Sequence, residues 1–111
     1  MTVQDLINTN KFHTMNAGSN LNQPITAPFC CDLLSIAMSK APADSAWITV
    51  MGNMNTLAVA VLTDVACIIL AEGIQLDDAA LEKAKSQEIT LLSTDEHIFD
   101  AALAIYNLLH E

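Results

Sequence analysis

The 111-residue sequence predicts a single α/β domain built on a mostly parallel sheet of four to five strands with helices on both faces. Short apolar runs alternate with helical patterns along the chain, as they do in successive strand–helix–strand units. Two of the runs, Trp47 to Val50 and Val65 to Leu70, are nearly all apolar, which fits strands covered on both sides. The stretch between them has helical character, and two strands joined by one helix should be parallel neighbours with a right-handed crossover.

Near the N-terminus, Val3, Leu6 and Ile7 predict one short amphipathic helix, and Lys11 to Met15 a brief strand. Ala17 to Pro24 holds Gly18, Ser19, Asn20, Asn22 and Pro24, which is turn chemistry and predicts a loop. Ile25 to Cys31 is strand-like, and Pro24 and Pro28, which cannot donate to a ladder, confine it to an edge. Asp32 is expected to cap the next helix. There Leu33, Leu34, Ala37 and Met38 share one face, Lys40 lies in the last turn and Pro42 stops the helix.

The first central strand, Trp47 to Val50, ends at Met51-Gly52, where a glycine lets the backbone turn sharply. Asn53 or Asn55 is expected to cap the following helix by accepting a bond from a first-turn amide. Its run Leu57 to Leu62 is apolar and small, as in a helix covered on more than one side. Thr63-Asp64 breaks it before Val65 to Leu70. Asp77 or Asp78 caps the next helix, with Leu81 and Ala84 facing inward and Lys83 and Lys85 near its negative end. Ile89 to Leu92 is the last strand. Ser93-Thr94-Asp95-Glu96 has the spacing of a capping box and predicts a long helix to about Leu109. Ile98, Ala102, Ile105 and Leu109 form one apolar stripe of that helix, with Phe99, Leu103 and Tyr106 beside it. So wide an apolar surface predicts a homodimer.

Thirteen carboxylates face four lysines and no arginine, for a net charge of -9, and such a field repels nucleic acid and anionic membrane. Without arginine, any phosphate must be held by backbone amides, lysine or a partner chain. The longest apolar region, Leu57 to Ala71, is interrupted by Asp64 and is too short to span a membrane. MTVQDLINTN has no basic residue followed by an apolar core, so no signal peptide and a cytoplasmic location are expected.

Cys30, Cys31 and Cys67 lack the spacing of a zinc site or a redox pair and read as small buried hydrophobes, with a vicinal thiol sensor as the alternative. His13, His97 and His110 are scattered, and a charged His97 would be unfavourable in a helix's first turn. No metal-ligand cluster, Gly-x-Ser-x-Gly elbow or Gly-x-x-x-x-Gly-Lys loop is present, so the expectation is no catalytic residue, metal or cofactor. Open α/β sheets hold ligands at the ends of their parallel strands. That rule points to a small-molecule site lined by Thr49, Gly52, Asn53, Asn55, Glu72 and Gly73, with Ser93 and Thr94 from the next strand end. The competing reading makes the asparagines helix caps and the glycines turns, and Glu72 would oppose a phosphate.

The order Asp32-Leu33-Leu34-Ser35, Trp47-Ile48-Thr49, Asn55, Ala58-Val59-Ala60, Ile68-Ile69-Leu70, Gly73, Ala84, Ile89 and Leu92-Ser93-Thr94 resembles the DRTGG domain family over almost the whole chain, 1–111. That family is similar to the N-terminal domain of HPr kinase/phosphorylase. The resemblance implies a three-layer α/β/α fold and a regulatory, often dimeric module without chemistry of its own, found alone or joined to CBS domains and enzymes. The Asp-Arg of the family name falls on Asn53-Met54 and the Thr-Gly-Gly on Ala71-Glu72-Gly73, of which only Gly73 is kept. Two readings stay open: a regulatory module binding a small anionic metabolite or an adenine nucleotide, as the resemblance to CBS-linked members implies, or an interaction module that docks on another protein.

Overall fold

The computed structural model describes all 111 residues, Met1–Glu111. Its elements follow one another as α1 (Val3–Asn8), β1 (His13–Asn16), β2 (Ala27–Cys30), α2 (Leu34–Lys40), β3 (Ser45–Thr49), α3 (Met54–Thr63), β4 (Cys67–Leu70), α4 (Asp78–Ser86), β5 (Leu91–Ser93) and α5 (Ile98–Leu109). The five strands form one sheet in the order β1-β5-β4-β3-β2. It is parallel from β2 to β5, and β1 closes it antiparallel to β5. The proline-bearing β2 lies at the edge, where its missing donor costs no ladder bond.

Successive strand residues point to opposite faces, so each central strand feeds two cores. Ala46, Ile48, Cys67 and Ile69 pack with Val3 and Leu6 of α1 and Ala101 and Ile105 of α5. Trp47, Ile68 and Leu70 pack with Ala37 of α2, Leu57 and Ala60 of α3, and Ala80 and Ala84 of α4. The result is the expected three-layer α/β/α sandwich. Ile48, Ile68, Ile69 and Leu70 are fully buried, and each contributes about 1.5–3 kcal/mol by leaving water. The indole N–H of buried Trp47 donates to the Cys31 carbonyl at 3.0 Å.

Local signals hold at two helix starts. Asn53 Oδ1 accepts from the amides of Asn55 and Thr56 at 3.0 and 3.2 Å, and Asp77 accepts from Ala80 N–H at 2.7 Å. Elsewhere the structure corrects the sequence. Leu33, not Asp32, occupies the N-cap position of α2, and its side chain makes no cap bond. Asp32 Oδ1 instead accepts from the Thr49 hydroxyl at 2.7 Å and the Val50 amide at 2.9 Å, tying the end of β2 to the end of β3. Of the four apolar residues expected to share one face of α2, Ala37 is buried while Leu33 and Met38 are exposed. This short helix has a helical neighbour, α3, on one side. The outer face of α3 is not covered within the chain either, since Met54, Val61 and Leu62 are exposed.

The capping box at Ser93 does not form. Ser93 stays in the sheet, opposite His13 of β1 and Leu70 of β4, and α5 begins only at Ile98. Cys67 alone among the cysteines is buried, and burial pushes its thiol up to about 12. Cys30 ends the edge strand and is exposed. Gly52 takes no left-handed conformation; after β4 it is Glu72 (φ 62°) and Gly73 (φ 68°) that do.

Candidate functional site

Because β3, β4 and β5 are parallel and in register, with Thr49 opposite Leu70 and Leu70 opposite Ser93, their C-terminal ends share one edge of the sheet. The antiparallel β1 brings its first residue, His13, to the same edge. The eight residues read from the sequence as a ligand site all lie on or just beyond this edge, but their polar groups are spoken for to very different degrees.

Thr49 is fully buried, donates to Asp32 and accepts from the Met51 amide at 3.2 Å. Asn53 spends its carbonyl oxygen on the first turn of α3, and Asn55 is exposed in that turn. Gly52 lies under the segment after β4: a Cβ there would stand 3.3 Å from Ile74 Cγ2 and 3.4 Å from the Gln75 carbonyl. Glu72 turns away from the strand ends. Its carboxylate accepts from the Ile98 amide at 2.9 Å and meets His97 Nδ1 at 2.8 Å, taking over the capping of α5 across the loop. His97 and the Ile98 amide hold the Glu72 carboxyl below its ordinary value, and Glu72 in turn raises His97. His97 is exposed at the helix start, as expected, but its positive form is favoured because a carboxylate faces it.

Gly73, Ser93 and Thr94 are the three that come together. The Gly73 amide donates to the Thr94 carbonyl at 3.1 Å, the Thr94 amide to Leu70 at 2.9 Å, and the Glu72 amide to the Glu96 carbonyl at 2.8 Å. These bonds lace the loop after β4 to the loop after β5. Together with His13, Met15, Ile74, Gln75 and Asp95, the three residues line a cleft of about 350 Å³. Thr49, Gly52, Asn53, Asn55 and Glu72 are not among its lining residues.

His13, Gln75 and Asp95 were not legible as site residues. His13 arrives through an antiparallel pairing with a strand near the far end of the sequence, and no local pattern encodes that partner. The chemistry of the cleft is polar and nearly uncharged. Gln75, Ser93 and Thr94 supply neutral donors and acceptors, His13 an imidazole ring and Asp95 a carboxylate, while none of the four lysines lines it. Such a lining suits sugar hydroxyls or a heterocycle better than a bare phosphate. No group of three or more His, Cys, Asp or Glu side chains is placed to hold a metal ion, and no helix is long and apolar enough to cross a membrane.

A family model described as the DRTGG domain matches residues 34–108. Among solved structures, the fold is similar to the crystal structure of the CBS and DRTGG domains of the regulatory region of Clostridium perfringens pyrophosphatase complexed with activator, diadenosine tetraphosphate. The two share a TM-score of 0.74 at 15% identity, over 94% of this chain and 45% of that one, so the chain spans under half of that relative's length. No curated protein matches the chain. The family match covers well over half of the sequence, and the fold it leads one to expect is the fold observed: the chain belongs to the DRTGG domain family.

Proposed function

We propose that this protein is a non-catalytic regulatory module of the cytoplasm that binds a small metabolite, an adenine nucleotide in the first instance, at the strand-end cleft. The observation that carries the reading is the cleft itself. Its 350 Å³ lies within the range of small-molecule sites, and Gly73, the residue kept from the family motif, forms part of its wall. The reading is further supported by the solved relative, whose regulatory region is complexed with an activator, diadenosine tetraphosphate. Because Asp95 and a net charge of -9 disfavour phosphate, the nucleoside part carries recognition at Gln75, Ser93 and Thr94, with the phosphates directed to solvent.

Titration calorimetry of the purified protein against adenosine, AMP, ATP and diadenosine tetraphosphate, with Mg²⁺ present, tests this. Saturable binding is expected, weakened about fivefold to tenfold by Gln75→Ala or Ser93→Ala, since each removes one hydrogen bond worth roughly 1 kcal/mol. Binding unchanged in both variants would remove the site from the cleft, and no binding of any of the four would leave the second reading. That second reading, an interaction module without a small ligand, is favoured by nine large apolar side chains left exposed on α2, α3, α5 and the residue preceding α2.

A further inference from the structure

The helix α5 carries three exposed large apolar residues, Phe99, Leu103 and Tyr106, whose helical spacing lines them up as a ridge along one side. The Tyr106 ring is steadied by stacking on His110, with ring centroids 4.0 Å apart. Beside the ridge, between α5 and the segment before β1, runs a groove of about 310 Å³. Leu103, Ala104 and Leu108 give it an apolar floor, and the exposed Glu96, Asp100 and Glu111 stand along it. Lys11 is the one cation in its lining. Helix stability accounts for Asp100, which lies in the first turn at the positive end of the dipole, but not for Glu111, which follows the negative end. The two ion pairs of the molecule, Lys85 with Glu82 and His97 with Glu72, involve no residue of the groove. The groove thus combines apolar contact with three carboxylates that the chain leaves without an ion-pair partner.

This local chemistry selects the occupant. Nucleic acid and anionic lipid carry phosphate, which the three carboxylates repel. A second copy of this chain has no matching surface, since Lys83 and Lys85 share α4 with Asp78 and Glu82, and Lys40 is the single cation of α2. An extended peptide gains main-chain bonds from a sheet edge, whereas α5 has spent its backbone groups on itself. A helix arrives with its backbone already paired, and one of about 18 Å matches the 12 residues of α5. We propose that the α5 groove docks a basic amphipathic helix of another protein. Its apolar stripe lies on Leu103 and Leu108, with Phe99 and Tyr106 as aromatic anchors, and its lysines or arginines face Glu96, Asp100 and Glu111. None of these residues lines the strand-end cleft, so the docking surface is separate from the ligand site and does not depend on it.

Fluorescence anisotropy of a labelled synthetic helix, with leucines at helical spacing flanked by lysines, tests the proposal against the full chain. The control peptide keeps the leucines and replaces every lysine by glutamate. The basic peptide is expected to bind saturably, and more weakly as salt rises from about 0.05 to about 0.5 M, because exposed charge pairs are screened. The acidic control should not bind. Phe99→Ala and Leu103→Ala should each weaken binding about fivefold or more. Glu96→Gln combined with Glu111→Gln should weaken it about threefold to tenfold. Glu82→Gln on α4 and Leu62→Ala on α3 should leave it unchanged, and far-ultraviolet circular dichroism checks that each variant is folded. No binding of the basic peptide overturns the proposal, as does equal binding of the acidic control. An affinity lowered as much by Glu82→Gln as by the groove pair also overturns it, since that marks unspecific attraction to an acidic molecule. Should a variant unfold, the amide chemical-shift map of the wild type with the basic peptide decides: changes along α5 and at Lys11 support the groove, and changes centred on α2 and α3 or on the cleft overturn it.

Discussion

Glu72 shows how much can turn on one side chain. It takes a left-handed conformation that costs a residue with a Cβ about 1 kcal/mol or more. Its carboxylate nevertheless holds the first turn of α5 and pairs with His97. The pH dependence of this contact follows from the two shifts. The Glu72 carboxyl is held below its ordinary 4.5, so its contribution is present above that value and lost as pH falls through the lowered one. His97 is raised above its ordinary 6.5, so its contribution is full below that value and lost as pH rises through the raised one. Both act together between 4.5 and 6.5. Thermal melts of wild type and His97→Ala should therefore differ most in that window and converge at alkaline pH, whereas Glu72→Gln should remain less stable than wild type above it because the cap to Ile98 is weakened. A constant offset between wild type and His97→Ala at every pH would show that the ring acts by packing alone.

Among the elements, those whose ends are fixed by near neighbours in sequence are the ones the sequence reveals. Asn53 and Asp77 each bond an amide two or three residues on, and both caps are readable from the residue type and the apolar run behind it. The start of α5 is not, because its cap comes from Glu72, twenty-six residues earlier, while Ser93 is claimed by the sheet. Asp32 misleads for the same reason: its partners are Thr49, the last residue of β3, and Val50 just after it. Of the candidate site, Gly73, Ser93 and Thr94 were legible because parallel strand ends must share an edge; His13 was hidden in the orientation of β1. The loop from Ala17 to Pro24 was legible as a loop but not as a plug. Asn20 donates to the Ala66 carbonyl at 2.8 Å and accepts from the Thr90 hydroxyl at 2.7 Å, sealing the end of the sheet opposite the cleft. Gly18 is required there, because a Cβ would fall 2.1 Å from the Glu88 carbonyl oxygen. Gly18→Ala must push the loop off the sheet, and urea denaturation should show a loss of about 1–3 kcal/mol. A neutral result would mean that the loop is already loosely seated.

For the whole molecule, the order of the strands in the sheet imposes an order in time. From β2 to β5 every strand lies beside its predecessor, each joined through a single helix, so these pairings close short loops. The pairing of β1 is different: His13 must find Ser93, far along the chain beyond all the intervening strands and helices. Contacts of such separation are late in folding. Refolding kinetics should show Ile69→Val slowing folding, while Met15→Ala mainly accelerates unfolding; equal slowing by both would place β1 in the nucleus. During synthesis the first of these five strands to leave the ribosome is thus the last of them to be placed. Until then β5, with Leu91 and Leu92, is a bare sheet edge, and that interval is when the chain is most exposed to pairing with the wrong strand.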